Sequence, residues 1–138
     1  MERLSAIEFT MMVMIENEDG EILVQDRKKQ DWPGWTFPGG HVEQNESSYT
    51  AAIREINEET DFIIVPNLSG TAEWNNLNKQ TRELAFLYTA TVEKRPVTGD
   101  LLWVTKKELT AKKLAGTLND LLPIFFGEQQ QIYFESNQ

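Results

Sequence analysis

From Gly40 to Phe62 the chain runs G-x5-E-x7-R-E-I-x-E-E-x-x-F, a spacing that one amphipathic helix and the loop before it must present together. Ser47 or Ser48 suits the helix cap, and Tyr49, Ala52, Ile53 and Ile56 recur at helical spacing, which predicts an apolar stripe facing a core. At about 100° per residue, Glu55, Glu58 and Glu59 stand at i, i+3 and i+4 and share a different face. Like charges so placed cost a helix roughly 0.2–0.5 kcal/mol per pair, and Arg54 alone does not offset three of them. Hard divalent cations such as Mg²⁺ or Mn²⁺ take oxygen ligands and complete their shells with water and phosphate oxygens, so the array suits a metal site. For an isolated E-x-x-E-E a solvated acidic face is the simpler reading. The upstream Phe37-Pro38-Gly39-Gly40 weighs against it, because two glycines let a backbone carbonyl approach a cation held by the helix.

These residues resemble the Nudix box, G-x5-E-x7-R-E-U-x-E-E-x-G-U, where U is a bulky apolar residue. Asp61 departs from it at the position of the second glycine, where a left-handed residue is favoured near the helix C-terminus. The chain is thereby similar to the Nudix hydrolase family, of MutT-like, 8-oxo-dGTP diphosphatase type. The resemblance implies an α/β (α+β) Nudix fold, a mixed sheet sandwiched between helices. It also implies that Glu55, Glu58 and Glu59 are metal-binding and catalytic, with the Gly40 carbonyl a further metal ligand and Mg²⁺ the cofactor, replaceable by Mn²⁺. Gly39, Gly40, Glu46 and Arg54 are then structural, with Glu46 and Arg54 pairing loop to helix through the forked geometry of arginine and carboxylate.

The 138 residues fit a single domain over 1-138, with no repeat, low-complexity run or linker. No apolar run is long enough to span a membrane and no cleavage pattern follows the N-terminal strand, so a cytoplasmic location is expected. The absence of cysteine removes disulfides, thiolate zinc sites and cysteine nucleophiles. A net charge of -9 disfavours nucleic acid polymers and anionic membranes, but not a nucleotide whose phosphates are neutralised by metal. The expected form is a monomer or homodimer.

Strands are expected at Ile7 to Ile15 and Ile22 to Gln25, around a Glu18-Asp19-Gly20 turn, and at Phe62 to Val65, Thr71 to Asn75, Leu84 to Val92 and Leu101 to Val104. Short helices are expected at Lys106 to Leu114 and Leu118 to Phe126.

Outside the box, the resemblance places Arg27 where a phosphate-contacting arginine is found and Asn119 where an asparagine reads a purine, although Asn119 also suits a helix cap. Lys28 and Lys29 stand beside Arg27. Asp100 and Glu83 are candidates for a fourth metal carboxylate, Asp100 also suiting a turn. Trp32 and Trp35 are the better base-stacking candidates, ahead of Trp74 and Trp103. His41, without partner His or Cys, is expected to position other groups.

Three functions are compatible with these features. The first is Mg²⁺-dependent hydrolysis of a nucleoside triphosphate, one with an oxidised purine included, to monophosphate and pyrophosphate. The second is the same chemistry on ADP-ribose, a nucleotide sugar or a dinucleotide polyphosphate. The third is a noncatalytic nucleotide-sensing module, disfavoured by the complete carboxylate set.

Overall fold

A computed structural model describes residues 3–28 and 33–136. The elements run β1 (Ile7–Glu16), β2 (Ile22–Arg27), β3 (Gly34–Thr36), β4 (Gly39–His41), α1 (Ser48–Thr60), β5 (Asn67–Asn76), β6 (Thr81–Thr91), β7 (Leu101–Val104), α2 (Leu118–Phe125) and β8 (Gln131–Ser136). One mixed sheet has the order β3-β2-β1-β6-β5-β8, with β4 paired to β1 and β7 to β2. Strands β1 and β6 run parallel from Ile7↔Arg82 to Glu16↔Thr91 and form its centre.

Alternation along the central strands decides which helix each side chain meets. Met11, Val13 and Ile15 of β1 join Leu23, Tyr88, Ala51, Ala52 and Ile56 in one core, beneath α1. Met14, with Ile22, Val24 and Leu87, packs with Leu118, Leu121, Leu122, Ile124 and Phe125 of α2 in the other. The expected sandwich of a mixed sheet between helices is therefore the architecture found. Burying each aliphatic side chain contributes about 1.5–3 kcal/mol, so both helices are anchored by their apolar faces.

Several elements differ from the sequence reading. Helix α1 buries Ala51, Ala52, Ile56 and Thr60, whereas Tyr49 is 45% exposed and Ile53 only half-buried; the stripe is narrower because small alanines let the helix sit close to the sheet. Residues 62–65 form no strand. Phe62 and Ile64 still point inward while Ile63 and Val65 are exposed, but Pro66 lacks the N–H that would continue a ladder. The expected helix at Lys106 to Leu114 is a single 3-10 turn at Lys106–Glu108, because the backbone beyond it pairs elsewhere: Trp35 N–H donates to the Lys113 carbonyl and Ala115 N–H to the Trp35 carbonyl, each at 2.8 Å. Strands β3, β4 and β8 were not anticipated; β3 and β4 are too short to show periodicity.

Candidate active site

Ser47 caps α1, its hydroxyl accepting from the Thr50 N–H at 3.1 Å. At the other end Asp61 adopts φ 64, the left-handed conformation, and its N–H donates to the Asn57 carbonyl. The departure from glycine thus keeps the expected backbone.

The loop before α1 is tied to it by one guanidinium. Arg54 Nε donates to Glu46 Oε2 at 3.1 Å and Nη2 to Glu46 Oε1 at 2.6 Å, a two-pronged pair. Nη2 also reaches the His41 carbonyl at 3.2 Å, while Nη1 donates to Glu55 at 3.0 Å and Glu58 at 3.4 Å. The hydrogen bond from Arg54, with a backbone N–H from Glu43, holds the Glu46 carboxyl below the usual carboxylate range. Glu46 in turn raises Arg54, which stays charged.

The two glycines are required by contact rather than by dihedral. A Cβ on Gly39 would lie 2.2 Å from the Met11 carbonyl oxygen, and one on Gly40 2.7 Å from Cδ of Glu55. Glu55 therefore rests against the backbone of β4, which pairs with β1 through Met11↔Gly40 and Met12↔Gly39. Glu59 keeps one side open to solvent, yet the protein atoms crowding its carboxyl, then repulsion from Glu55 and Glu58, push it up to about 7 against an opposing hydrogen bond from the Gly39 backbone.

Oxygen donors, a desolvated carboxylate and like-charge repulsion are the features a hard divalent cation would offset. Among the described residues, however, no three acidic or histidine side chains are gathered closely enough to hold an ion as they stand. Arg54 engages both Glu55 and Glu58.

On the α2 side of β4 opens a cleft of about 1020 Å³. Arg27, Lys28, Asp100, Glu83, His41 and Trp74 all line it, as do Gly39 and Gly40, whereas Glu55, Glu58 and Glu59 do not. Asp100 follows Gly99 in an exposed turn, consistent with its alternative reading. His41 is exposed and its Nε2 pairs with Glu8.

Asn119 is not brought into the cleft lining. It is the second residue of α2 and exposed, and the helix cap is Thr117. The first turn of α2 directs Leu118 and Leu121, not Asn119, toward the cleft. Of the tryptophans, Trp74 lines the cleft, whereas Trp35 packs on the core beneath Lys113 and Trp103 donates to the Arg95 carbonyl. Trp32 and Lys29 lie outside the described residues. Trp74 was a stacking candidate from the sequence, whereas Thr10 was not singled out; strand register brings both beside Glu83.

With a mixed sheet between two helices and the carboxylate helix seated on a glycine pair, the chain falls in one class of domain: residues 8–124 match the NUDIX domain, and the chain belongs to that family. Among curated proteins it is similar to a Bacillus subtilis (strain 168) protein provisionally named an 8-oxo-dGTP diphosphatase, 48% identical over 50 residues, 36% of this chain and 32% of that protein. An RNA pyrophosphohydrolase of Sphingopyxis alaskensis is 40% identical over 48 residues, 35% of this chain and 30% of that protein. The matched stretch thus spans about a third of these relatives' length. Among solved structures, the MutT protein of Methanosarcina mazei Go1 shares the fold with TM-score 0.73 at 24% identity, over 92% of this chain and 98% of that one.

Proposed function

We propose that the protein is a divalent-metal-dependent pyrophosphohydrolase that cleaves a nucleoside triphosphate to the monophosphate and pyrophosphate. The observation that carries this reading is the placement of Glu55 and Glu59 against the Gly39-Gly40 backbone, beside a cleft with Arg27 and Lys28 in its wall. Glu55, Glu58 and Glu59, with the Gly40 carbonyl, would hold Mg²⁺, or Mn²⁺ in its place. When bound, the metal supplies charge stabilisation at phosphoryl oxygens and acidifies water.

The chain's own residues do the remaining work. Arg27 and Lys28 counter phosphate charge, which an acidic chain must do locally. Arg54 and Glu46 hold the loop against α1, so that the carboxylates meet the substrate from a fixed backbone. The apolar floor of the cleft takes the nucleoside. A cytoplasmic location is in keeping with such a substrate, and among the described residues no helix is long and apolar enough to cross a membrane.

The test is hydrolysis of nucleoside triphosphates, ADP-ribose, nucleotide sugars and a 5′-triphosphorylated RNA, with and without Mg²⁺, with products identified by mass. Monophosphate plus pyrophosphate, formed only with metal, is expected. Cleavage confined to ADP-ribose or nucleotide sugars would replace the substrate assignment, and no turnover of any compound would remove the enzymatic reading.

A further inference from the structure

Asp26, Glu83 and Asp100 are the acidic side chains lining the cleft; Asp26 lies on β2 and Glu83 on β6, and Glu83 is set apart by a side-chain hydrogen bond that holds its carboxyl. It is half-buried in β6, and Thr10 Oγ1 donates to its Oε2 at 2.9 Å, which fixes the carboxyl. Burial pushes the Glu83 carboxyl up; the Thr10 hydrogen bond opposes this, Glu8 adds to it and His41 weakly opposes it. A ligand that donates hydrogen bonds to Glu83 would offset that desolvation.

An aromatic surface adjoins the carboxyl. Glu83 is the cross-strand partner of Trp74, and Trp74 is the partner of Phe134 on β8, so the three share one face as a row. Trp74 and Phe134 stack with ring centroids 5.5 Å apart at 18°. An acceptor beside an indole in a largely apolar cleft matches a planar heterocycle bearing N–H donors on its edge.

Nucleobases differ in that edge. A guanine-type ring presents two adjacent donors, N1–H and the 2-amino group, which a carboxylate accepts together. Adenine and cytosine set one donor beside an acceptor, and uracil flanks its N–H with two carbonyls, so each meets a carboxylate with a repulsive lone pair. We propose that Glu83 is the specificity-determining residue of the cleft, selecting a guanine-type base that lies along Trp74. This rests on the nucleotide reading above.

The test compares wild-type protein with Glu83→Gln and, as a milder second variant that keeps the carboxyl, Thr10→Val. Equilibrium binding of GMP, AMP and UMP is read by tryptophan fluorescence, and relative kcat/KM is measured for GTP and ATP. Wild type should bind GMP at least about tenfold tighter than AMP or UMP. Glu83→Gln should shrink that ratio, and the GTP to ATP ratio, to within about threefold, and Thr10→Val should move both the same way by less. No guanine preference in wild type, a ratio unmoved by Glu83→Gln, or an equal loss for GTP and ATP would overturn the proposal, the last pointing to a metal-binding or structural role. A GMP preference in a protein that cleaves no triphosphate would leave base selection standing and remove the hydrolase reading. Triphosphate cleavage with unmoved ratios would remove base selection alone.

Discussion

Gly40 and Glu55 compete for one volume: a Cβ on the glycine would lie 2.7 Å from Cδ of the glutamate. Gly40→Ala should therefore swing Glu55 away from β4. Because the displaced atoms end a flexible side chain, the expected result is a loss of activity of about tenfold or more with little change in melting temperature. Gly39→Ala meets the Met11 backbone carbonyl instead, and should cost about 2–3 kcal/mol of stability. Equal melting temperatures for the two variants would contradict this contrast.

Glu59→Gln keeps shape and removes a charge that burial and its neighbours disfavour. Turnover should fall by about 100-fold or more, while the melting temperature in chelator at pH 8 should not drop. Near-normal metal-dependent activity would refute the assignment of Glu59.

The Glu46 carboxyl is lowered chiefly by its hydrogen bond to Arg54, so this pair stabilises the fold in full above the unfolded glutamate value of about 4.3. That contribution is lost as pH falls through the lower folded value. The melting-temperature gap between wild type and Glu46→Gln should be widest from about pH 6 to 8 and close toward pH 3. A gap that widens in acid would show that the pair acts through something other than charge.

Asp61 holds φ 64 at the end of α1, a conformation glycine adopts without steric cost. Asp61→Gly should stabilise the protein by about 0.5–1 kcal/mol, measured by urea denaturation; destabilisation would reveal a role for the aspartate side chain.

Asn119 is exposed and outside the cleft lining. Asn119→Ala should leave relative rates on purine and pyrimidine nucleotides unchanged, and a shift in base preference would restore it as a reading residue.

What was legible in the sequence follows from range. The cap at Ser47, the left-handed Asp61 and the pairing of Glu46 with Arg54 are set within one helix and its entry loop, and each was found where expected. The hairpin of β1 and β2 and most of β5, β6 and β7 were likewise visible as alternation or turn chemistry. The short strands were not, because β3 and β4 are three residues long and exist through pairing with β2 and β1, β3 being tied also to residues 113 and 115 far along the chain. Nor was the cleft: the row Glu83, Trp74, Phe134 depends on register across three strands, which no local pattern encodes. Nor was the exposure of Asn119: α2 begins at Leu118 as expected, but which residues of its first turn face inward is set by the packing of Leu118 and Leu121 on the sheet.

Strand β4 is a partition only three residues long, with the carboxylate helix behind it and the cleft before it, and Gly39 and Gly40 belong to both sides. Two kinds of variation are thereby uncoupled. Side chains of the cleft can be exchanged without disturbing the acidic helix, whereas almost nothing can replace the glycines without disturbing both. A chain built on this wall can vary the side chains of its cleft while the acidic helix stays put, and the constraint falls on two residues without side chains.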